Sequence, residues 1–280
     1  MTPAPFEAGP ALLFCPADRP DRYAKAAARA DVVVIDLEDG VGADDKDTAR
    51  RSLRANPLDP RRTVVRVNAP GTPHHGADLD ALADTAYTTL VLPKADGRFV
   101  GPLLRHDGVP YAVVALCETA AGVLAASALA ARPDVVALAW GAEDLVASLG
   151  GTSSRHPDGT YRDVARHART AVLLAARAAG KAAIDAVHLD LHDDAGLRAE
   201  ATDAAASGFA ATLCVHPDQV PVVRAAYAPS RTEVDRARAL LAAASGAGAV
   251  RHGGRMVDAP LLAHARTVLA RADRCGEDPT

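Results

Sequence analysis

Short apolar segments alternate with amphipathic stretches along most of the chain. In eight of these segments the apolar residues stand at consecutive positions rather than at every second one. These segments are rich in Val, Leu and Ala and end in polar or charged residues. They span 11–17, 31–39, 63–69, 89–95, 111–119, 134–145, 182–190 and 209–217. Strands of a parallel sheet that is covered on both faces have this pattern. The pattern therefore predicts eight buried parallel strands.

Most of the connections between these strands show the apolar spacing of an amphipathic helix. The amphipathic stretches are 19–30, 45–55, 121–130, 161–180 and 195–208, and 97–106 is the weakest helix candidate. Eight strand–helix units in a chain of this length predict an α/β fold of the (β/α)8 TIM-barrel type. An open doubly wound sheet is the alternative, but it normally carries a glycine-rich phosphate turn after its first strand. No GxGxxG is present, so the barrel is favoured.

The C-terminal part of the chain departs from this rhythm, which divides the protein into a barrel at 1–228 and an extension at 229–280. Two helical stretches, 231–245 and 260–272, flank the glycine-rich connector GAGAVRHGGRMVDAP. Glycine-rich loops that follow a barrel commonly act as lids. We therefore expect a C-terminal extension of helices with a flexible or hairpin-like lid.

Composition narrows the functional class. The 280 residues carry a net charge of −4 without a basic block, so a nucleic-acid partner is not expected. No apolar run is long enough to span a membrane, and the N-terminal segment lacks the features of a signal peptide, which predicts a cytoplasmic protein. Four widely spaced cysteines without a CxxC pair argue against disulfides and structural zinc.

Ionisable residues cluster where the predicted strands end. In order along the chain these are Asp36, Glu38 and Asp39; Arg66 and Asn68; Lys94; Glu118; Glu143 and Asp144; Asp185 and Asp190; and His216. Because barrel active sites form at the carboxyl ends of strands, these groups should converge at one mouth. A divalent cation would relieve their repulsion, and oxygen donors favour Mg²⁺ or Mn²⁺ over Zn²⁺.

Structural roles are the alternative for each of these groups. Glu118 and Asp144 could cap the helices that follow them, and Arg66 could simply pair with Asp36 or Glu38. Folding alone does not require acids at so many adjoining strand ends. Their convergence therefore favours the functional interpretation.

Eight short segments resemble, in order, the citrate lyase beta-subunit-like proteins of the HpcH/HpaI aldolase and malyl-CoA lyase superfamily, in particular the mycobacterial type. They are LFCPADRPDRYAKA (13–26), VVVIDLEDGV (32–41), VVRVNA (64–69), LVLPKA (90–95), LCETAAGV (116–123), WGAEDL (140–145), VHPDQV (215–220) and GRMVDAP (254–260). The resemblance implies a barrel enzyme that uses one Mg²⁺ to make or break a carbon–carbon bond beside an acyl thioester.

The same resemblance implies roles for the residues of the barrel mouth. Glu118 and Asp144 match the metal ligands, and Glu118 also contacts substrate. Arg66 matches the catalytic arginine that binds the keto acid and the developing enolate oxygen.

Four further residues would support the metal from outside its ligand set. Glu38 and Asp39 match acids that hydrogen-bond to metal-bound water, and Asp36 lies beside them in the same motif. Lys94 either supports this network or forms a structural ion pair.

Coenzyme A recognition is implied for Phe14, Arg19 and Lys25. Arg and Lys suit the phosphates, and Phe14 could pack against the pantetheine or adenine end. A solvated first helix is the alternative for the two basic residues. Ala17 replaces a glycine found in many relatives, which leaves the approach of the pantetheine arm open.

Asp258 matches an acid or base that relatives contribute from the lid of a neighbouring subunit. The alternative is that Asp258 caps the last helix, since Asp-Ala-Pro-Leu is a good helix start. A homotrimer is implied by the resemblance and would suit a lid donated between subunits.

The resulting hypothesis is a Mg²⁺-dependent lyase that cleaves a malyl-, citramalyl- or citryl-like acyl-CoA reversibly to an acyl-CoA and a 2-keto acid. One alternative is a beta subunit that works only within a citrate lyase complex on an acyl-carrier thioester. Another is a class II pyruvate aldolase that uses no thioester. The sequence leaves the acyl chain, the keto acid and the direction of reaction open.

Overall fold

Eight parallel strands hydrogen-bond in chain order and close into a barrel, with β1 paired to both β2 and β8. In this computed structural model the described residues are 6, 9–98, 101–244, 250–252 and 255–275. Helices lie between most consecutive strands. The predicted (β/α)8 TIM barrel is therefore confirmed.

Each barrel strand lies within its predicted segment. The barrel strands are β1 Ala11–Pro16, β2 Val32–Asp36, β3 Thr63–Arg66, β4 Thr89–Leu92, β5 Ala112–Cys117, β6 Val135–Trp140, β7 Ala182–Asp185 and β8 Ala211–Cys214. The helices among them are α1 Tyr23–Arg29, α2 Lys46–Ala55, α3 His75–Ala83, α4 Ala120–Ala130, α5 Ala142–Ser148, α6 Asp163–Ala178, α7 Asp194–Ser207 and α8 Gln219–Tyr227.

Three connections differ from the sequence prediction, one of them because α5 begins at Ala142, inside the segment 134–145 that was predicted as a strand. The expected helix at 97–106 is wrong: in its described residues the chain forms a turn, with a bridge between Leu104 and Pro110. Gly101 has a φ of +78°, which a helix does not accommodate. Conversely, the sequence pattern does not indicate α3, because the fully buried Asp78 interrupts its apolar face.

The alternation of side chains along the strands carries polar groups to the barrel mouth. Val34 of β2 belongs to the hydrophobic core, and Asp36, two residues on, lies on the same face of the strand. In β5, Leu116 belongs to the core and Glu118 follows at the same spacing. The face that packs the core therefore ends in a carboxylate at each of these strands.

The register of neighbouring strands then decides which polar groups meet. Asp36 lies directly beside Arg66 across the β2–β3 pair. Cys117 lies beside Trp140 across β5 and β6, so Glu118 and Gly141 follow as neighbours. Both pairs stand at the carboxyl ends of their strands.

The chain divides into two compact units, Met1–Val223 and Arg224–Thr280. In the second unit α9 (Arg231–Ala243) packs against α10 (Ala259–Cys275), and β9 (Val250–His252) pairs antiparallel with β10 (Arg255–Val257). Ser230 and Glu233 form a capping box that starts α9. The helices and hairpin expected for the extension are thus present. Residues 246–249 and 253–254 of the glycine-rich connector lie outside the described residues, and its role as a lid stays a prediction.

Among the described residues, no helix is both long and apolar enough to cross a membrane.

Candidate active site

Asp36 and Arg66 form a bidentate ion pair at the barrel mouth. Arg66 Nε and Nη2 donate to the two carboxylate oxygens of Asp36, each at 2.7 Å. The same oxygens accept the backbone N–H groups of Glu38 at 2.9 Å and Gly40 at 2.8 Å. A Cβ at position 40 would lie 2.4 Å from Asp36 Oδ2, so only glycine permits this approach. Asp36, 2% exposed, thereby fixes the plane of the guanidinium.

Arg66 also contacts the second acid of the motif. Its Nη1 lies 3.0 Å from Glu38 Oε2, and its guanidinium stacks 4.6 Å from the centre of the Phe14 ring. Burial would lower the pKa of Arg66, but the charge and hydrogen bonds of Asp36 raise it overall. The structural pairing considered for Arg66 is therefore present, and the same side chain lines the cavity described below.

Lys94 connects the acidic loop after β2 to the acids after β5 and β6. Its ammonium donates to Glu38 Oε1 at 2.7 Å and lies 3.6 Å from Asp144 Oδ1. Its backbone N–H donates to Glu118 Oε1 at 3.0 Å. Asp39 is the outermost member, 62% exposed and 3.7 Å from the Lys94 ammonium.

The backbone of Lys94 is unusual, with a φ of +50°. Residues that carry a Cβ seldom adopt this left-handed conformation, and such strain is concentrated at functional sites. The conformation lets one residue direct its N–H to Glu118 and its ammonium to Glu38.

Glu118 is the most perturbed acid of the site. It is 3% exposed, and burial raises its pKa to about 8, with the charges of Asp144 and Glu38 adding to the shift. Lys94 and Arg66 oppose the shift without cancelling it. An anionic Glu118 is therefore costly unless a further positive charge is added.

Neither Glu118 nor Asp144 serves as a helix cap. Thr119 caps α4 by accepting the N–H of Gly122, and the N-cap position of α5 is Gly141. A Cβ at position 141 would lie 2.9 Å from Glu118 Oε2. Glycine at this position keeps space for the Glu118 carboxylate, and the capping alternative considered for both acids is wrong.

The donor set fits a hard divalent cation. All of its groups are carboxylate oxygens, and the raised pKa of Glu118 shows that its anionic form lacks sufficient positive charge nearby. No three His, Cys, Asp or Glu residues in the described part of the chain are placed to hold a metal together. Two carboxylates with water and substrate oxygens are the usual environment of Mg²⁺. Ligation by Glu118 and Asp144 stays a prediction.

A cavity of about 760 Å³ opens beside this network. Its lining includes Phe14, Asp36, Arg66, Val187 and Val215, together with basic residues of the first helical segment. An apolar wall with a few fixed charged groups is typical of a site for a small ligand, and the cations favour a ligand with negative charge.

The basic residues at this cavity differ in part from those selected in the sequence. Lys25 lines the cavity as expected, and Arg22, not selected, lines it as well. Arg19 instead bonds Asp21 at 3.1 Å in an exposed pair. Arg19 stands before the helical turns and has a non-helical backbone, whereas Arg22 and Lys25 lie within them, three residues apart on one face.

Asp258 lies in the second compact unit and is exposed. Its Oδ1 accepts the N–H of Leu261 at 3.3 Å, and its carbonyl accepts that of Leu262. The helix-capping alternative is therefore present, and the role in proton transfer stays a prediction.

Lys46 is a buried residue of the site that the sequence pattern does not reveal. It is 7% exposed and its ammonium contacts the backbone of the acidic loop after β2. The available signal is its place on α2: it shares the buried face with Ala49, Arg50 and Leu53, at spacings of three and four residues.

Comparison with known proteins identifies the family of the chain. Residues 11–99 and 104–217 match the family described as HpcH/HpaI aldolase/citrate lyase. The chain is 57% identical over 266 residues to a citrate lyase subunit beta-like protein of Mycobacterium tuberculosis, covering 95% of this chain and 96% of the relative. It is 33% identical to a (3S)-malyl-CoA thioesterase of Cereibacter sphaeroides, with 94% of each chain covered.

The fold comparison points the same way. A crystal structure of the CitE protein of Mycobacterium tuberculosis, in complex with magnesium, acetoacetate and coenzyme A, matches with a TM-score of 0.88 and 57% identity over 95% of this chain and 98% of that chain. This chain therefore belongs to the HpcH/HpaI aldolase/citrate lyase family.

Proposed function

We propose that the protein is a Mg²⁺-dependent carbon–carbon lyase. It would cleave a 3-hydroxy acyl-CoA that carries a second carboxylate, malyl-, citramalyl- or citryl-like, to an acyl-CoA and a 2-keto acid, and would also run in reverse. The observation that carries the proposal is Glu118, which is buried, has a pKa of about 8 and is linked through Lys94 to Asp144. The magnesium and coenzyme A bound by the CitE relative support it.

In this proposal Glu118 and Asp144 hold Mg²⁺, for which Mn²⁺ could substitute. The bound ion would supply a Lewis acid that polarises the keto and carboxylate oxygens of the substrate. Glu38 and Lys94 keep the two carboxylates oriented, and Asp39 contributes negative charge at the solvent side.

Arg66 would bind the keto-acid carboxylate and the oxygen on which negative charge develops. Its guanidinium is already held by Asp36 and Phe14, so little reorganisation accompanies the reaction. Preorganised charge in a site sheltered from water is among the largest contributions to catalysis.

The cavity would receive the thioester arm. Lys25 and Arg22 would contact the phosphates of coenzyme A, while Phe14, Val187 and Val215 offer an apolar surface to pantetheine. Arg19 would need to exchange its bond with Asp21 to take part.

Cleavage requires one base and one acid. A base removes the proton of the substrate hydroxyl, the carbon–carbon bond breaks, and its electron pair becomes the enolate of the acyl thioester. Protonation of that carbon completes the reaction. We assign the proton transfer at carbon to Asp258 of a neighbouring subunit in a cytoplasmic homotrimer.

Complementation tests the assignment of Asp258. Glu118→Gln and Asp258→Asn variants, each inactive alone, would regain activity in mixed oligomers because one subunit supplies each missing group. Mixed oligomers that stay inactive would contradict donation between subunits, and light scattering would measure the oligomeric state.

The test of the function is a panel of acyl-CoA and keto-acid pairs, incubated with Mg²⁺ and followed by mass spectrometry. We expect a condensation product from at least one pair and its cleavage in the reverse assay. The controls are Glu118→Gln and chelated protein, both folded and inactive. Undiminished turnover in either control would refute the mechanism.

A thioesterase is the second candidate, favoured by the 33% identical malyl-CoA thioesterase. The same assay separates the two, because hydrolysis releases a free thiol and an intact hydroxy acid, whereas cleavage releases a keto acid. A beta subunit of a lyase complex would be inert alone, and a pyruvate aldolase would not bind coenzyme A in calorimetry.

A further inference from the structure

Lys46 places a buried cation beneath the acidic loop that follows β2. Its ammonium donates to the carbonyl oxygens of Leu37 at 2.6 Å and Glu38 at 2.7 Å, and to Asn68 Oδ1 at 2.9 Å. An ammonium has three N–H donors, so each has an acceptor. Two of these acceptors are consecutive carbonyls of the loop that carries the Glu38 carboxylate.

A chain of buried polar groups holds Lys46 in place. Asn68 Nδ2 donates to the Leu37 carbonyl at 2.8 Å, and the backbone N–H of Asn68 donates to Asp78 Oδ2 at 2.7 Å. Asp78 is fully buried and accepts Arg50 Nε at 2.7 Å through its other oxygen. Hydrogen bonds thus anchor the loop to α2 and α3, and in them all three donors of the Lys46 ammonium and both oxygens of Asp78 have partners.

Stability alone does not account for a lysine at this position. Burial lowers the pKa of Lys46, and the charges of Asp36 and Asp78 work against that shift. Desolvating a cation is costly, and well-packed apolar residues often replace buried charges without loss of stability. What an apolar residue would not do is hold two backbone carbonyls in fixed positions.

The loop fixed by Lys46 leads directly to the candidate metal ligands. The Glu38 carboxylate bonds the Lys94 ammonium and lies beside Arg66 Nη1. Lys94 in turn contacts Asp144 through its side chain and Glu118 through its backbone. A displacement of the Glu38 backbone would therefore reach both carboxylates.

We propose that Lys46 is a positioning residue of the active site. By binding the Leu37 and Glu38 carbonyls it sets the orientation of the Glu38 carboxylate, and through Lys94 the spacing of the two acids that hold Mg²⁺. The inference rests on the metal site of the proposed function.

Calorimetric titration of the full-length protein with Mg²⁺ tests this role without any turnover. Lys46→Met keeps the length of the side chain and removes its donors. We expect its Mg²⁺ affinity to fall about tenfold, the effect usual for groups that orient metal ligands. Wild-type affinity in this variant would overturn the proposal.

Leu53→Ala is the matched control for general destabilisation. Leu53 lies on the same buried face of α2, is fully buried, and has no polar side-chain atom that could bond the loop carbonyls or the groups that hold Lys46. We expect a lower thermal midpoint but a Mg²⁺ affinity within about twofold of wild type. An equal loss of affinity in both variants would show a packing effect and would refute a specific role for Lys46.

A double-mutant cycle asks whether Lys46 acts through Glu38. If it does, Lys46→Met combined with Glu38→Gln should bind Mg²⁺ no more weakly than Glu38→Gln alone. Multiplied losses would overturn this route. If Lys46→Met does not fold, Lys46→Arg replaces it, because a guanidinium keeps the charge but not the three-donor geometry. Wild-type affinity in Lys46→Arg would then be the contrary result.

The outcomes separate this inference from the proposed function. A wild-type protein that binds no Mg²⁺ would overturn both. Magnesium binding without carbon–carbon cleavage would overturn only the proposed function, and the variants would still test Lys46. Cleavage that is indifferent to every change at position 46, with unchanged Mg²⁺ affinity, would overturn only the positioning role.

Discussion

The raised pKa of Glu118 predicts an unusual pH dependence for the stability of the metal-free protein. Its carboxyl has an ordinary value of 4.5 and a value of about 8 in the folded chain, raised first by burial. Between these values the folded state keeps a proton that the unfolded state has lost. The free energy of unfolding must therefore fall as the pH rises through this window.

The magnitude follows from the size of the shift. Each pKa unit corresponds to about 1.4 kcal/mol. Between pH 5 and pH 8 the loss from Glu118 alone is roughly 3 to 4 kcal/mol, which is a large share of the stability of an ordinary domain. Solvent screens the Glu118 carboxylate very little, because the residue is only 3% exposed.

Urea denaturation at several pH values with a chelator present measures this effect, and Glu118→Gln is the matched variant. Glutamine has nearly the same shape and does not titrate in this range. The difference in unfolding free energy between wild type and Glu118→Gln should shift by roughly 3 to 4 kcal/mol in favour of the variant from pH 5 to pH 8. Parallel pH profiles for the two proteins would refute the reasoning.

Magnesium should offset most of the loss of stability, and in the wild type only. A metal ligand must be deprotonated, so Mg²⁺ binding is favoured as the pH rises and stabilises the folded state by mass action. At a concentration about 100 times its dissociation constant the ion would add roughly 2.7 kcal/mol at pH 8. The same addition to Glu118→Gln should change little, and an equal gain in both would place the ion elsewhere.

Three further predictions concern individual side chains. Lysine in Arg66→Lys cannot form the bidentate contact with Asp36, so kcat should fall roughly 10²- to 10³-fold in steady-state assays. A change confined to KM would contradict the role of Arg66 at the reacting oxygen. Gly141→Ala brings a methyl group to 2.9 Å from Glu118 Oε2. We expect calorimetry to show about tenfold weaker Mg²⁺ binding in this variant, and unchanged binding would mean that the carboxylate is not a ligand. Asp258→Asn preserves a good helix cap, so its thermal midpoint should match wild type while kcat falls about 10²- to 10⁴-fold, and full activity would leave Asp258 with capping alone.

Much of the site was predictable because strand patterns and strand ends are local features. A continuous apolar run buried on both faces identifies a barrel strand, and the next polar residue must then stand at the mouth. Asp36, Arg66 and Glu118 could be selected in this way before their neighbours were known. The cap of α4 was harder to choose, since Glu118 and the adjacent Thr119 can both cap a helix and only the structure shows that Thr119 takes the N-cap position.

Buried polar residues on helices were the least predictable features of the chain. Asp78 masks the periodicity of α3, and although α2 was predicted, the sequence did not show that Lys46 and Arg50 lie on its buried face. Their burial becomes intelligible only when Asn68, from the loop after β3, supplies the acceptor and donors between them. A polar residue whose partner is distant in sequence looks like a solvated one.

The order of residues was enough to predict the eight-stranded barrel and an acidic mouth rich in carboxylates, because both follow from hydrophobic spacing and residue chemistry. Only the tertiary structure decided that Asp36 and Arg66 share one register position, and that Lys94 turns left-handed to join three strand ends. It also decided that Arg22 rather than Arg19 lines the cavity. These outcomes depend on distances between segments far apart in the chain, and side-chain burial and charge respond to such distances and not to sequence order.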